Sequence, residues 1–179
     1  MRIVAVFHGT KLEGLAGTPN KVGANPPLSL TGMQKVLNLV PTIKDQGPFE
    51  TMYCSRMSRA LDTASIIALE FDLDIRTKKE LGQYGNRDEE RDIYYPGHET
   101  DGFVTWQNDG VSAFLKIAKE HSDTTVLVIS HRPVIGGIVA HCMGVDDEAG
   151  IIKVISDPTL AAKGFRVFEI TDDNIKIVD

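Results

Sequence analysis

Two histidines in this chain each close a hydrophobic run. His8 follows Ile3-Val4-Ala5-Val6-Phe7 and leads into Gly9-Thr10, while His131 follows Val126-Leu127-Val128-Ile129-Ser130 and leads into Arg132. A third stretch, Tyr53-Cys54-Ser55-Arg56-Met57-Ser58-Arg59-Ala60, passes from an apolar run into a helical pattern with two arginines at the junction. Imidazole titrates near neutrality and its two nitrogens can divide donor and acceptor roles. A guanidinium fork matches the oxygens of a tetrahedral anion. The first turn of a helix adds unpaired N–H groups and partial positive charge. Two imidazoles and an arginine-bearing helix start therefore describe a pocket for an oxyanion.

Other chemistries fit less well. A lone histidine after a strand is more often structural, and the pairing of His8 with His131 gives each its weight. His98, His121 and His141 lack partners by spacing: His121 reads as surface, His141 as packed on its helix, and His98 as a residue of the pocket rim. No i, i+4 ligand pair or Asp/His cluster points to a metal. Cys54 and Cys142 have neither metal-ligand spacing nor disulfide density and read as reduced, packed thiols. No Gly-x-Ser-x-Gly elbow is present, and Ser55 and Ser58 read as caps of the following helix.

The elements that must hold these residues alternate along the chain. Strands are expected at 2–7, 49–55, 73–76, 126–129, 153–155, 164–170 and 175–178. Helices are expected at 30–44, capped by Ser29, and at 59–71, 102–120 and 134–143. Residues 11–28 and 77–101 are polar, Gly- and Pro-containing stretches, the second read as a loop or lid with aromatic anchors at Tyr84, Tyr94, Tyr95 and Trp106. Such alternation predicts a three-layer α/β/α sandwich with a mostly parallel central sheet and an antiparallel pair at one edge. Both histidines then share the carboxyl edge of the sheet, where such folds build their sites.

The chain has 179 residues, enough for one domain spanning 1–179 with a full core. Its formal net charge of −6 argues against broad binding to nucleic acid or an anionic membrane. No apolar stretch is long enough to span a bilayer. The first residues form a strand rather than a signal-peptide pattern, so a cytoplasmic address is expected. Exposed sheet edges would allow a homodimer.

Five ordered motifs resemble the histidine phosphatase superfamily, the phosphoglycerate mutase-like group. His8-Gly9 matches the last two positions of that family's Arg-His-Gly signature, and Leu28-Ser29-Leu30-Thr31-Gly32 is similar to its Leu-Thr-x-x-Gly helix start. Ser55-x-x-x-Arg59-Ala60-x-x-Thr63-Ala64 matches its Ser-x-x-x-Arg-Ala-x-x-Thr-Ala element. Gly97-His98-Glu99-Thr100 looks like its Gly-Glu-Ser element with one residue inserted, and Val126 to His131 matches its second-histidine strand. The resemblance implies hydrolysis of a phosphate monoester on a small phosphorylated substrate, with no cofactor and no metal. His8 would be the nucleophile, carrying a phosphohistidine, and Arg59 and His131 would hold the phosphoryl oxygens. Glu80 best matches the region of the general acid, with Asp88 and Glu89 as rivals. Gly9, Thr10 and Arg56 would line the substrate side.

The signature arginine is replaced by Phe7. Arg132 is the expected substitute cation, followed by Arg56 and Lys11. The alternative is a weak or inactive member that binds a phosphorylated ligand without turnover. The Glu-Thr that usually follows His-Gly is also absent, with Thr10 and Lys11 in its place.

Overall fold

A computed structural model describes residues 1–12, 25–82, 87–88, 93–94 and 99–179, with the backbone alone described at 87–88, 93–94 and 99–102. Strands β1 (Arg2–Phe7), β2 (Thr51–Cys54) and β3 (Ile75–Thr77) come first, interleaved with helices α1 (Leu30–Lys44) and α2 (Ser58–Phe71). A small hairpin, β4 (Arg87–Asp88) with β5 (Ile93–Tyr94), precedes α3 (Glu99–Glu120). Then follow β6 (Thr125–Ser130), α4 (Arg132–Cys142), α5 (Glu148–Ser156), β7 (Phe165–Thr171) and β8 (Asn174–Ile177).

The main sheet has six strands in the order β3-β2-β6-β1-β7-β8. β3, β2, β6 and β1 run parallel, and β7 and β8 add the expected antiparallel edge. Helices cover both faces, giving the expected sandwich. Strand alternation sorts the core between the faces. Ile3, Ala5 and Phe7 pack with Trp106, Phe114, Val134 and Ile138 on the α3/α4 side. Val4 and Val6 pack with Val36, Val40, Ala60 and Ala64 on the α1/α2 side. No described helix is long and apolar enough to cross a membrane.

Local chemistry explains most boundaries. Ser29 Oγ accepts the Gly32 amide and starts α1 as expected. The expected strand at 153–155 is instead part of α5. A short apolar run such as Ile151-Ile152-Lys153-Val154-Ile155 suits either state. Here Asp147 decides, because its side chain accepts the Gly150 amide and opens a helix whose Ile151 and Ile155 pack with Ala140 of α4. The start of α2 also departs from expectation: Met57 stands at the N-cap with no side-chain cap bond, and Asn25 Oδ1 accepts the Ser58 amide at 2.8 Å. Ser58 is therefore not the cap. Leu28 N donates to Asp62 Oδ2 at 2.9 Å, so the segment before α1 is stapled to α2.

Candidate active site

Sheet register brings the site together. Phe7 pairs with Ser130 between β1 and β6, and Cys54 pairs with Ile129 between β2 and β6. His8 and His131 each stand one residue beyond the first pair. His8 N donates to Ser130 O at 3.1 Å and Ser55 N donates to Ile129 O at 3.0 Å, which prolongs both ladders. The two imidazoles end with ring centroids 4.9 Å apart. Three segments distant in sequence thus meet at one strand edge.

His8 has a defined tautomer. Its Nδ1 lies 2.7 Å from the Gly9 carbonyl, which can only accept, so Nδ1 carries the proton. Nε2 keeps its lone pair and accepts from Arg59 Nε at 3.2 Å. Burial, opposed by the Gly9 hydrogen bond and reinforced by the Arg59 and Lys11 charges, lowers the His8 pKa from 6.5 to about 4. The ring is neutral at pH 7, as a nitrogen nucleophile requires. His131 is fully buried, and burial first, then the His8 and Arg59 charges, hold its pKa well below 6.5.

Arg59 is itself buried, held by the first turn of α2, and its Nη2 also donates to Met57 Sδ at 3.3 Å. Its guanidinium rests on the lone pair of His8. Thr63 braces this unit, accepting the Gly9 amide at 3.1 Å and donating to Arg59 O at 2.8 Å. The Gly9 N–H is thereby occupied, and the contribution of Gly9 is to orient His8 through its carbonyl. Gly9 must also lack a side chain: a Cβ there would lie 2.8 Å from Gly32 O and 2.9 Å from Val36 Cγ2 of α1. Thr10 is exposed, its carbonyl accepting from Ser29 N and Oγ and its hydroxyl from Lys35 Nζ.

Phe7 points away from the histidines, into the α3/α4 core with Tyr53, Leu81 and Trp106. Arg132 does not replace the missing guanidinium. Its Nε donates to Ile155 O at 2.6 Å and its Nη2 donates to Asp157 O, so it ties the start of α4 to the end of α5. That expectation is corrected, because these acceptors lie in the last turn of α5 and just after it, not among the residues around His8. Arg56 and Lys11 are exposed.

Glu80 lies on a 3-10 turn (Lys79–Leu81) directly after β3. The turn is docked beside the second histidine, since Ser130 Oγ donates to Leu81 O at 2.7 Å. Glu80 is half-buried and 4.0 Å from Lys116 Nζ. Asp109 on α3 has its carboxyl pushed up, by burial and then by the charge of Glu80, a neighbour that sequence reasoning missed. The side chain of Asp88 and the whole of Glu89, His98, Tyr84 and Tyr95 lie outside the described residues, as does Gly97 of the fourth motif.

Three smaller expectations change. His121 is buried rather than superficial, with Nδ1 3.1 Å from Glu50 Oε1 and Nε2 2.9 Å from Tyr53 Oη. His141 is exposed at the end of α4 rather than packed. Ser55 does more than shape the start of α2: its Oγ is 2.8 Å from His131 Nε2. The packing role of Cys54 agrees with its burial, which pushes the thiol up to about 12. Among the described residues, no group of three or more His, Cys, Asp and Glu side chains is placed to hold a metal ion.

Comparison with known proteins agrees with this geometry. The model of the histidine phosphatase superfamily (branch 1) matches residues 3–90. No curated protein sequence matches the chain. Among solved structures, YhfR of Bacillus stearothermophilus superposes with a TM-score of 0.75 at 17% identity, over 99% of this chain and 95% of that one. The alpha-ribazole phosphatase of Shigella flexneri gives 0.72 at 18% identity, with the same coverage of 99% and 95%. Phosphoserine phosphatase of Entamoeba histolytica, in complex with phosphoserine, gives 0.66 at 15% identity, again over 99% and 95%. At these identities the structures share a fold. The chain thus matches the histidine phosphatase superfamily over residues 3–90 and shares the fold of these structures over its whole length.

Proposed function

We propose that the protein is a phosphatase that hydrolyses a phosphate monoester through a phosphohistidine on His8. The observation that carries this reading is the His8 tautomer: Nδ1 bonded to Gly9 O, Nε2 bearing a lone pair, and Arg59 Nε 3.2 Å from that lone pair. In the first step Nε2 attacks phosphorus, the bond from phosphorus to the leaving oxygen breaks, and that oxygen takes a proton from an acid. In the second step water attacks the phosphoryl group and gives a proton back to the carboxylate left by the first step, the P–N bond breaks with its electron pair returning to Nε2, and inorganic phosphate leaves with His8 neutral again. Arg59 and His131 stabilise the oxygens as charge redistributes. Glu80 serves as the acid, supported by its position on the turn docked against Ser130. The superfamily and the phosphatases that share the fold support phosphatase chemistry in general.

Turnover of an aryl phosphate tests the reading. His8→Ala should abolish it, and Arg59→Ala should lower kcat/KM on the order of a hundredfold or more. With an aryl leaving group that departs without a proton, Glu80→Gln should cost little, while an alkyl phosphate should suffer strongly. Turnover that survives His8→Ala would contradict the mechanism. Ligand binding without turnover would mark a phosphoryl-binding protein instead.

A further inference from the structure

Ser55 and His131 are both fully buried, and the Ser55 hydroxyl has two polar neighbours among the described residues. Met57 N–H donates to Ser55 Oγ at 3.2 Å. His131 Nε2 lies 2.8 Å from the same oxygen. A hydroxyl has one proton to give. With a lone pair engaged by Met57, that proton has one acceptor among the described residues, His131 Nε2. A neutral imidazole that accepts at Nε2 must carry its hydrogen on Nδ1. His131 Nδ1 is buried and has no hydrogen-bond partner among the described residues. A buried donor left unpaired is costly, so its persistence calls for a ligand that satisfies it. The ring bearing it lies 4.9 Å from that of His8.

The geometry points to Ser55 as a positioning residue that sets the tautomer of His131, so that the neutral ring offers a donor, Nδ1–H, to a phosphoryl oxygen beside His8. Without this bond the ring is free to place its proton on Nε2 and turn a lone pair toward an anion. Ser55 touches no reacting atom and acts through His131. The purpose of the donor rests on the phosphatase reading, whereas the tautomer itself does not.

Imidazole nitrogen NMR of the full-length, histidine-labelled protein at pH 7 tests the assignment directly. Wild type should show neutral His131 protonated at Nδ1. Ser55→Ala should move it to the Nε2–H form or to a mixture, and Ser55→Thr, which keeps the hydroxyl, should restore Nδ1–H. On an aryl phosphate, Ser55→Ala should lower kcat about a hundredfold, the scale of losing one oxyanion donor, with a smaller change in KM. An Nε2–H signal for His131 in wild type, or an unchanged Nδ1–H signal in Ser55→Ala, would overturn the assignment whatever the activity. Because the wild-type spectrum decides alone, a variant that fails to fold does not rescue the idea. A Ser55-dependent tautomer in a protein without turnover would instead refute the phosphatase reading and leave the assignment standing.

Discussion

At the scale of single residues, the candidate site holds two imidazoles neutral next to a buried guanidinium. The free protein should therefore show a His8 titration with a midpoint near 4 instead of 6.5 in an NMR pH series. A midpoint near 6.5 would mean that solvent reaches the ring more freely than its surroundings allow. Phe7 carries the second residue-scale prediction. Its ring belongs to the α3/α4 core, so Phe7→Arg would drive a guanidinium among Trp106, Leu81 and Tyr53. Burying an unpaired charge is costly, so the variant should melt well below wild type and show no gain in turnover. A faster enzyme of unchanged stability would contradict this. His8, Arg59 and His131 could be picked out from the sequence because each sits at a strand end or a helix start within a recognisable motif. The bond from Ser55 to His131 could not, because it joins two strands across a register that only the folded sheet defines.

At the scale of elements, the helices were legible wherever a cap and an apolar stripe agreed, as in α1 with Ser29 and its buried Val36, Val40 and Ile43. They were misread where a side chain in the preceding turn decided, as Asp147 does for α5. Arg132 belongs at this scale too, since its bonds to the carbonyls of Ile155 and Asp157 fasten α4 to α5. Arg132→Ala should lower stability by about 1.5–3 kcal/mol, the usual size for hydrogen bonds from a charged group. It should change aryl phosphate turnover only a few-fold. A loss as deep as that of Arg59→Ala would return Arg132 to the phosphoryl site. The contact between α1 and the loop after β1 is tighter still, because a Cβ on Gly32 would lie 2.1 Å from Thr10 O. Gly32→Ala should displace the Thr10 carbonyl, loosen the backbone that orients His8, and depress both stability and turnover.

At the scale of the whole molecule, the buried histidines make stability depend on pH. Both have folded pKa values below 6.5, with His8 near 4. Above about pH 6.5 neither the folded nor the unfolded chain protonates them, and they add no slope. Between about 6.5 and 4 the unfolded chain binds protons that the folded chain refuses, so stability falls as the solution is acidified. Glu50, Glu120 and Asp157, whose carboxyls are lowered from 4.5, 4.5 and 3.8, lose their stabilisation only at more acid pH. Urea midpoints should therefore decline across the upper window in wild type and decline less in His8→Asn. Equal slopes would show that His8 does not supply the proton linkage.

The same convergence of three chain segments that holds these rings neutral underlies the proposed reaction, and trapping the proposed intermediate tests it most directly. Rapid acid-free quenching of the full chain with an aryl phosphate, followed by phosphorus NMR and mapping of the modified peptide, should find a base-stable, acid-labile phosphoryl group on Nε2 of His8, absent from His8→Ala. Turnover with no such adduct, or an adduct on any other side chain, would contradict the account.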